Sequence, residues 1–218
     1  MVSYDCMMPL MMRESSPLPK QAAVTDALLH IVAERGLDQV SVREVAAGAK
    51  VSIGTVQHYF PTKNRMLAAA YEEVIARIRS RLQAVKRGTD MRQNLSAVLA
   101  ELLPLDPRRV VESRIHLAFA ARAATMPELA HTQRDALAEI HTAVTQAFAT
   151  VWADHASRTT CALAAHAAIA AADGLALHAI SSGSWLPRHR QTATLELALD
   201  ALMSIHDREA RNRTRENL

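Results

Sequence analysis

Between Ser41 and Phe60 the sequence starts and stops two helices in quick succession, which constrains the fold more than any other feature. Ser41-Val42-Arg43-Glu44 is a capping box. The Ser41 hydroxyl can accept from the Glu44 amide while the Glu44 carboxylate reaches back, satisfying donors that a helix start leaves open. Val42, Val45 and Ala46 give that helix a buried side, and Gly48 falls near its end. Ser52 offers a second N-cap, and Ile53 to Phe60 reads as a short helix with Val56, Tyr59 and Phe60 as its apolar members. Pro61-Thr62 stops it and caps a longer helix predicted from Lys63 to Arg87. Upstream, Val24, Leu28, Ile31 and Val32 share one face of a helix that begins at Lys20 and ends at Gly36, as in a glycine C-cap. Three short helices with a tight turn around Lys50 and Val51 form a helix-turn-helix, in which one helix enters the DNA major groove and its neighbour crosses the backbone. The same spacing fits an ordinary three-helix packing motif, so spacing alone leaves both open.

The rest of the chain is also helical in character. With 6 Gly, 8 Pro and 4% aromatic residues in 218, and abundant alanine and leucine, the sequence predicts an all-α protein. Further helices are predicted at Met91 to Leu103, Pro107 to Ala124, Pro127 to His155, Arg158 to Ser182 and Arg190 to Asp207. Residues 1–19, with Pro9, Pro17 and Pro19, read as a flexible arm. A helix-turn-helix domain over 20–67, a larger helical domain over 68–207, and a charged tail over 208–218 complete the expected organisation. The first residues lack the positive start of a signal peptide, and the most apolar stretch, Cys161 to Ile180, is broken by His166, Asp173, Gly174 and His178. No membrane is expected as a partner, and two distant cysteines, Cys6 and Cys161, fit a reducing, cytoplasmic setting.

Net charge is +3, but residues 1–87 hold twelve Lys/Arg against eight Asp/Glu, whereas residues 88–218 hold thirteen against fourteen. The excess concentrates at Lys63, Arg65, Arg77, Arg79, Arg81, Lys86 and Arg87, which suits either a solvated helix face or a phosphate-binding one.

The segment VSVREVAAGAKVSIGTVQHYFPTKNRML resembles the N-terminal DNA-binding domain of TetR-family transcriptional repressors, through Val51, Ser52, Gly54, Tyr59, Phe60, Thr62, Lys63 and Leu67. Gln57 stands where that family usually has Tyr, which bears on operator choice more than on fold. The resemblance implies that the third helix lies in the groove, with Ser52, Gly54 and Thr55 allowing close approach and Ile53, Thr55, Gln57 and His58 on the reading side. Gln57 can pair bidentately with adenine, Ile53 can touch a thymine methyl, and Arg43 on the second helix suits guanine. Tyr59 and Lys63 match phosphate-contacting positions, Lys63 also lying near the positive end of the fourth helix. Tyr59 equally suits partial core packing, and Arg43 a surface pair with Glu44 or Asp38. Arg13 and Lys20 on the arm could add DNA contacts.

In the second half, the stretch from Ala171-Ala172-Asp173-Gly174-Leu175 to Leu199-Asp200-Ala201-Leu202 resembles the last two helices of choline-responsive, betaine-synthesis repressors. The expected dimer bundle uses Ala164 and Ala168, with Ala167 and Ala171, for close approach, and Leu195, Leu199 and Leu202 as an apolar stripe. Intramolecular core is the other reading of both sets. The expected small-molecule pocket draws on His116, Phe119, Arg122, Trp152 and His178, chosen from a wider set that includes Met126, His141, Phe148, Asp173 and Trp185. An effector would act by tilting the helix from Lys63 to Arg87, and so the separation of two reading heads.

The functional expectation is thus a ligand-responsive DNA-binding regulator, a repressor that binds a palindromic operator as a homodimer and is released by a small molecule. A ligand-independent activator or architectural DNA binder is the alternative. An enzyme is disfavoured: Ser181, Ser182 and Ser184 lie near His178 and His189, but no nucleophile elbow or phosphate loop accompanies them. No metal or other cofactor is expected, since Cys161 and His166, five apart, diverge around a helix.

Overall fold

The computed structural model describes residues 19–36, 39–86, 88–152 and 156–216, with side chains described as far as Ser204. Among these the chain forms nine α-helices and one short 3-10 turn, Gly183–Trp185, with no strand. The helices are α1 (Pro19–Arg35), α2 (Val42–Gly48), α3 (Ile53–Tyr59), α4 (Lys63–Ala84), α5 (Met91–Ala100), α6 (Pro107–Ala123), α7 (Pro127–Trp152), α8 (Arg158–Ser181) and α9 (Arg188–Glu216).

The expected stops are met, with instructive differences. Gly36 takes φ 83 and donates its amide to the Val32 carbonyl at 3.0 Å, which closes α1. Helix α5 ends at Ala100 rather than Leu103, because Pro104 disfavours helical backbone before it. The amides of Leu102 and Leu103 turn instead to the carbonyls of Leu99 and Ala100 at 3.0 and 3.1 Å. Helix α4 stops at Ala84, short of Arg87. Helix α9 starts just after Pro187 and continues to Glu216, through most of the stretch read as a tail. The arm, with Arg13, lies outside the described residues apart from Pro19, the first residue of α1.

The chain divides into two compact units, and the division is not sequential. Among the described residues one unit holds Pro19 to Ser80 together with Asp106–Ala136; the other holds Arg81–Leu105 and the chain from Leu137 onward. This differs from a boundary at residue 67, because α6 completes the core of the first unit. There, Val24, Leu28 and Val32 of α1, Val45 of α2, Val56 of α3 and Val74 of α4 pack in one cluster with Ile115 of α6. Burying an aliphatic side chain of this size stabilises the fold by about 1.5–3 kcal/mol. A second cluster in the same unit gathers Tyr71, Ile75, Phe119, Leu129 and Ala136.

In the other unit Leu95, Leu99 and Leu103 pack with Phe148, Ala165, Ala168, Ala172, Leu195 and Leu199. Arg92 of α5 reaches the carboxylates of Glu196 and Asp200 on α9, and Ser96 also bonds Glu196. By length and composition α8 could cross a membrane; here its Cys161, Ala165, Ala168 and Ala172 lie in the apolar core of the unit.

Candidate nucleic-acid interface and effector region

The reading head is assembled by two serine caps and one left-handed residue. Ser41 Oγ accepts from the Glu44 amide at 3.2 Å, as a cap should, and the Glu44 carboxylate reaches back to accept from the Ser41 hydroxyl at 2.9 Å. Helix α2 then ends in a Schellman turn: the Lys50 amide donates to Ala47 at 3.2 Å and the Val51 amide to Ala46 at 3.0 Å. Lys50, at φ 55, occupies the position that glycine usually fills. Gly48 answers a different need, since a Cβ there would stand 3.2 Å from that of Ala27, where α2 crosses α1.

Ser52 starts α3 by accepting from the Thr55 amide at 3.0 Å, and its hydroxyl lies 2.8 Å from that of Thr55. Val56 and Phe60 turn inward while Ile53, Gly54, Gln57 and His58 remain exposed, so an apolar side chain is held in water at Ile53, which is 45% exposed. A Cβ at Gly54 would meet only Ser52 Oγ, at an ordinary 3.7 Å, so nothing within the chain demands a glycine there. Tyr59 is half-buried and packs against the head's core, with its ring 5.3 Å from that of His58. Thr62 caps α4 by accepting from the Arg65 amide at 3.1 Å, which places the half-buried Lys63 at the helix start. Arg43 is exposed on α2, while its neighbour Glu44 is engaged by Arg35 at 2.8 Å. Asp38 lies outside the described residues.

Two cations of the basic run in α4 are tied up in ion pairs. Arg77 sits 2.7 Å from both Asp26 and Glu73, and Arg81 3.0 Å from Glu101. These two brace helices rather than forming an open phosphate face.

The five residues expected at an effector site fall in different places. His116 and Phe119 come together around Tyr71, whose ring stacks on Phe119 at 4.1 Å and 2° and lies 5.8 Å from the His116 ring. Arg122 is half-buried one turn further along α6. Trp152 belongs to the other unit, buried 4.9 Å from Phe148, and His178 is exposed there with the exposed Trp185 ring 6.3 Å away. Sequence reasoning missed Tyr71 and Gln133. Tyr71 stands three after Ala68 and four before Ile75, which is the stripe of a buried helix face. Gln133 lies between Leu129 and Ala136 on the same face of α7, and its Oε1 is buried without a hydrogen-bond partner among the described residues. No group of three or more His, Cys, Asp or Glu side chains placed to hold a metal ion occurs among the described residues.

The expected dimer contacts need correction. Ala164, Ala168, Leu195 and Leu199 are at most 6% exposed within the monomer, and Leu202 packs against the same core. Core packing, the other reading of these positions, is what the structure adopts. The large apolar residues exposed among the described residues of this unit are instead Trp185 and the leucines Leu163, Leu177 and Leu197, the last three at 67, 46 and 70%.

His141 of α7 stacks on His166 of α8 at 4.0 Å. Burial and the neighbouring His166 hold the His141 imidazole below its usual range, with Asp173 opposing.

Comparison with known proteins agrees with this architecture. Residues 24–70 match the bacterial regulatory proteins of the tetR family, and residues 91–204 match the BetI-type transcriptional repressor C-terminal domain. The regulator BetI of Cronobacter sakazakii is 25% identical over 181 residues, covering 80% of this chain and 85% of that protein. PksA of Bacillus subtilis is 24% identical over 119 residues, 54% of this chain and only 58% of PksA. Among solved structures, a transcriptional regulator from Rhodococcus sp. RHA1 superposes with a TM-score of 0.77 at 37% identity, covering 84% of this chain and 95% of that one. A regulator from Saccharomonospora viridis in complex with choline shares the fold, at a TM-score of 0.73 and 17% identity over 82% of this chain and 94% of that one. With both of its halves matched in this way, the chain belongs to the TetR family of bacterial transcriptional regulators.

Proposed function

We propose that the protein is a repressor that binds a palindromic operator as a homodimer and leaves it when a small molecule binds. The observation that carries this reading is the exposed row Ile53, Gln57 and His58 on α3, set around a glycine that no packing within the chain requires. A groove-bound helix explains both features, because Gly54 lets the backbone close on a phosphate or base edge while Gln57 and Ile53 address A·T pairs. Arg43 supplies a guanine contact, Tyr59 and Lys63 supply phosphate contacts, and Ser52 and Thr55 hold the cap that aims the helix. Action on DNA places the protein in the cytoplasm.

One head gives little affinity, so two must cooperate. The faces of α8 and α9 that carry Leu163, Ala167, Ala170 and Leu177, and Leu197 and Ala201, are exposed and combine leucine with small residues, as a close helix–helix seam does. For the effector, Phe119, His116 and Tyr71 offer an apolar and aromatic wall, and Gln133 Oε1 an acceptor that rewards a ligand N–H or O–H. Arg122, one turn further along α6, is a candidate for a further contact. Choline, bound by the Saccharomonospora neighbour, calls for an aromatic cage, whereas Tyr71 and Phe119 are stacked on each other and leave no gap between their faces.

Selection of DNA fragments by the full-length protein at physiological salt tests this reading. It expects an enriched palindrome with half-sites spaced by whole helical turns, and binding without sequence preference would overturn it.

A further inference from the structure

The first unit holds a cleft of about 230 Å³ between α1, α4 and α6, on the side of the head's core and apart from the Tyr71 cluster. Its apolar walls are aliphatic, from Leu29, Val74, Val111 and Ile115, and no Phe, Tyr or Trp lines it. It also contains a carboxylate: Glu112 is 3% exposed and lines the cleft. We propose that this cleft is a second small-molecule site, which takes a short aliphatic primary or secondary amine with its ammonium at Glu112.

The charges around the cleft favour this class. Arg77 at the rim is held by Asp26 and Glu73, both at 2.7 Å, and its charge is satisfied there. His30 faces Glu34 at 3.3 Å, with both side chains largely in water. Arg108 Nε lies 3.4 Å from Glu112, yet the Arg108 side chain is 63% exposed, so it can swing into solvent and keep its hydration when another cation arrives. An ammonium with N–H groups makes charge-assisted hydrogen bonds to a carboxylate. A quaternary ammonium has no such donors and depends on Trp, Tyr or Phe faces, which the cleft does not provide. The aliphatic walls favour a short alkyl chain, and an anion would meet Glu112 and Asp26. Such a ligand touches the first helix of the reading head and two helices behind it at once.

The site does not depend on the repressor reading, and its test needs no DNA. Full-length protein with labelled Ile, Leu and Val methyl groups is titrated with n-pentylammonium, 1-pentanol and pentanoate and followed by NMR. Saturable shifts from the amine are expected at Leu29, Val74, Val111 and Ile115, with at least tenfold tighter binding than either control. Glu112→Gln should remove that preference and leave the spectrum otherwise native. Equal binding of pentanol, shifts centred on Ile75 beside Tyr71, or unchanged amine affinity in Glu112→Gln would each overturn the proposal. Should Glu112→Gln not fold, the ligand comparison and the methyl map on the unaltered protein decide.

Discussion

The reading head and the α8–α9 region bury their apolar residues by opposite means. In the head, short helices begin at a capping hydroxyl, and a few large aliphatic residues leave little doubt about which side faces inward. Ser41 and Ser52 fix where α2 and α3 start, and Val45, Val56 and Phe60 are then the residues that can be buried. In α8 alanine occupies nearly every face: Ala164, Ala165 and Ala168 are inside while Ala167 and Ala170 are outside, with no difference in side chain to mark them. A capped short helix specifies its own orientation, whereas an apolar long one takes it from its neighbours.

The comparison is broken most sharply by a pair of leucines on α9. Leu199→Asp should unfold its unit, because an unpaired carboxylate would be buried in the core, at a cost of at least about 4 kcal/mol. Leu197→Asp, on an exposed position, should leave thermal unfolding within about 0.5 kcal/mol of the original and, if the seam lies there, shift sedimentation to the monomer. Lower melting of Leu197→Asp than of Leu199→Asp would show that inside and outside have been exchanged, and equal melting would remove the difference between them. Next in size, Leu28→Ala should destabilise the head by about 2–5 kcal/mol in urea unfolding, the usual cost of a cavity at a fully buried leucine.

A smaller effect separates reading from packing. Gln57→Ala should relax discrimination at one base pair by about 1–3 kcal/mol, whereas Lys63→Ala should weaken binding to all sequences and reduce its salt slope by about one. Gly54→Ala should leave the melting temperature close to that of the native protein yet impair DNA binding; unaffected binding would remove the reason given for the glycine.

The smallest effect is one of pH. Because the His141 imidazole is held below its usual range, the unfolded chain binds a proton more readily than the fold does. The stability this contributes is complete above about pH 6.5 and is lost as pH falls through the lower, folded-state value. His141→Gln should flatten unfolding free energy against pH over that interval; an unchanged slope would assign it to other groups.

How far the sequence could be read follows the same contrast. The helix starts at Val42, Ile53 and Pro107, each preceded by a side-chain cap, and the turn at Lys50 are local events between residues close in the chain. The end of α5 differs from its periodic reading because a following proline competes with periodicity there. The leucines of α9 were assigned to a dimer seam although Leu195 and Leu199 are core; a leucine stripe announces burial but not against what. Tyr71 and Gln133 were overlooked since each gains its meaning from a distant helix: Tyr71 from Phe119, and Gln133 from the cluster that Leu129 and Ala136 share with both. Ion pairs such as Arg77 with Asp26, far apart in sequence, are equally silent in composition.

Ile115, on α6, lies 1% exposed inside the core that α1, α2 and α3 share. The reading head is therefore not a removable module. A fragment cut after residue 67 would carry an open wound where α6 and most of α4 had been. A chimaera meant to exchange operator preference would have to import the matching surface of α6 along with the first three helices, or transplant only the exposed side chains of α3. Recombination between relatives meets the same barrier, so drift in operator choice by point replacement on α3 is the cheaper evolutionary route.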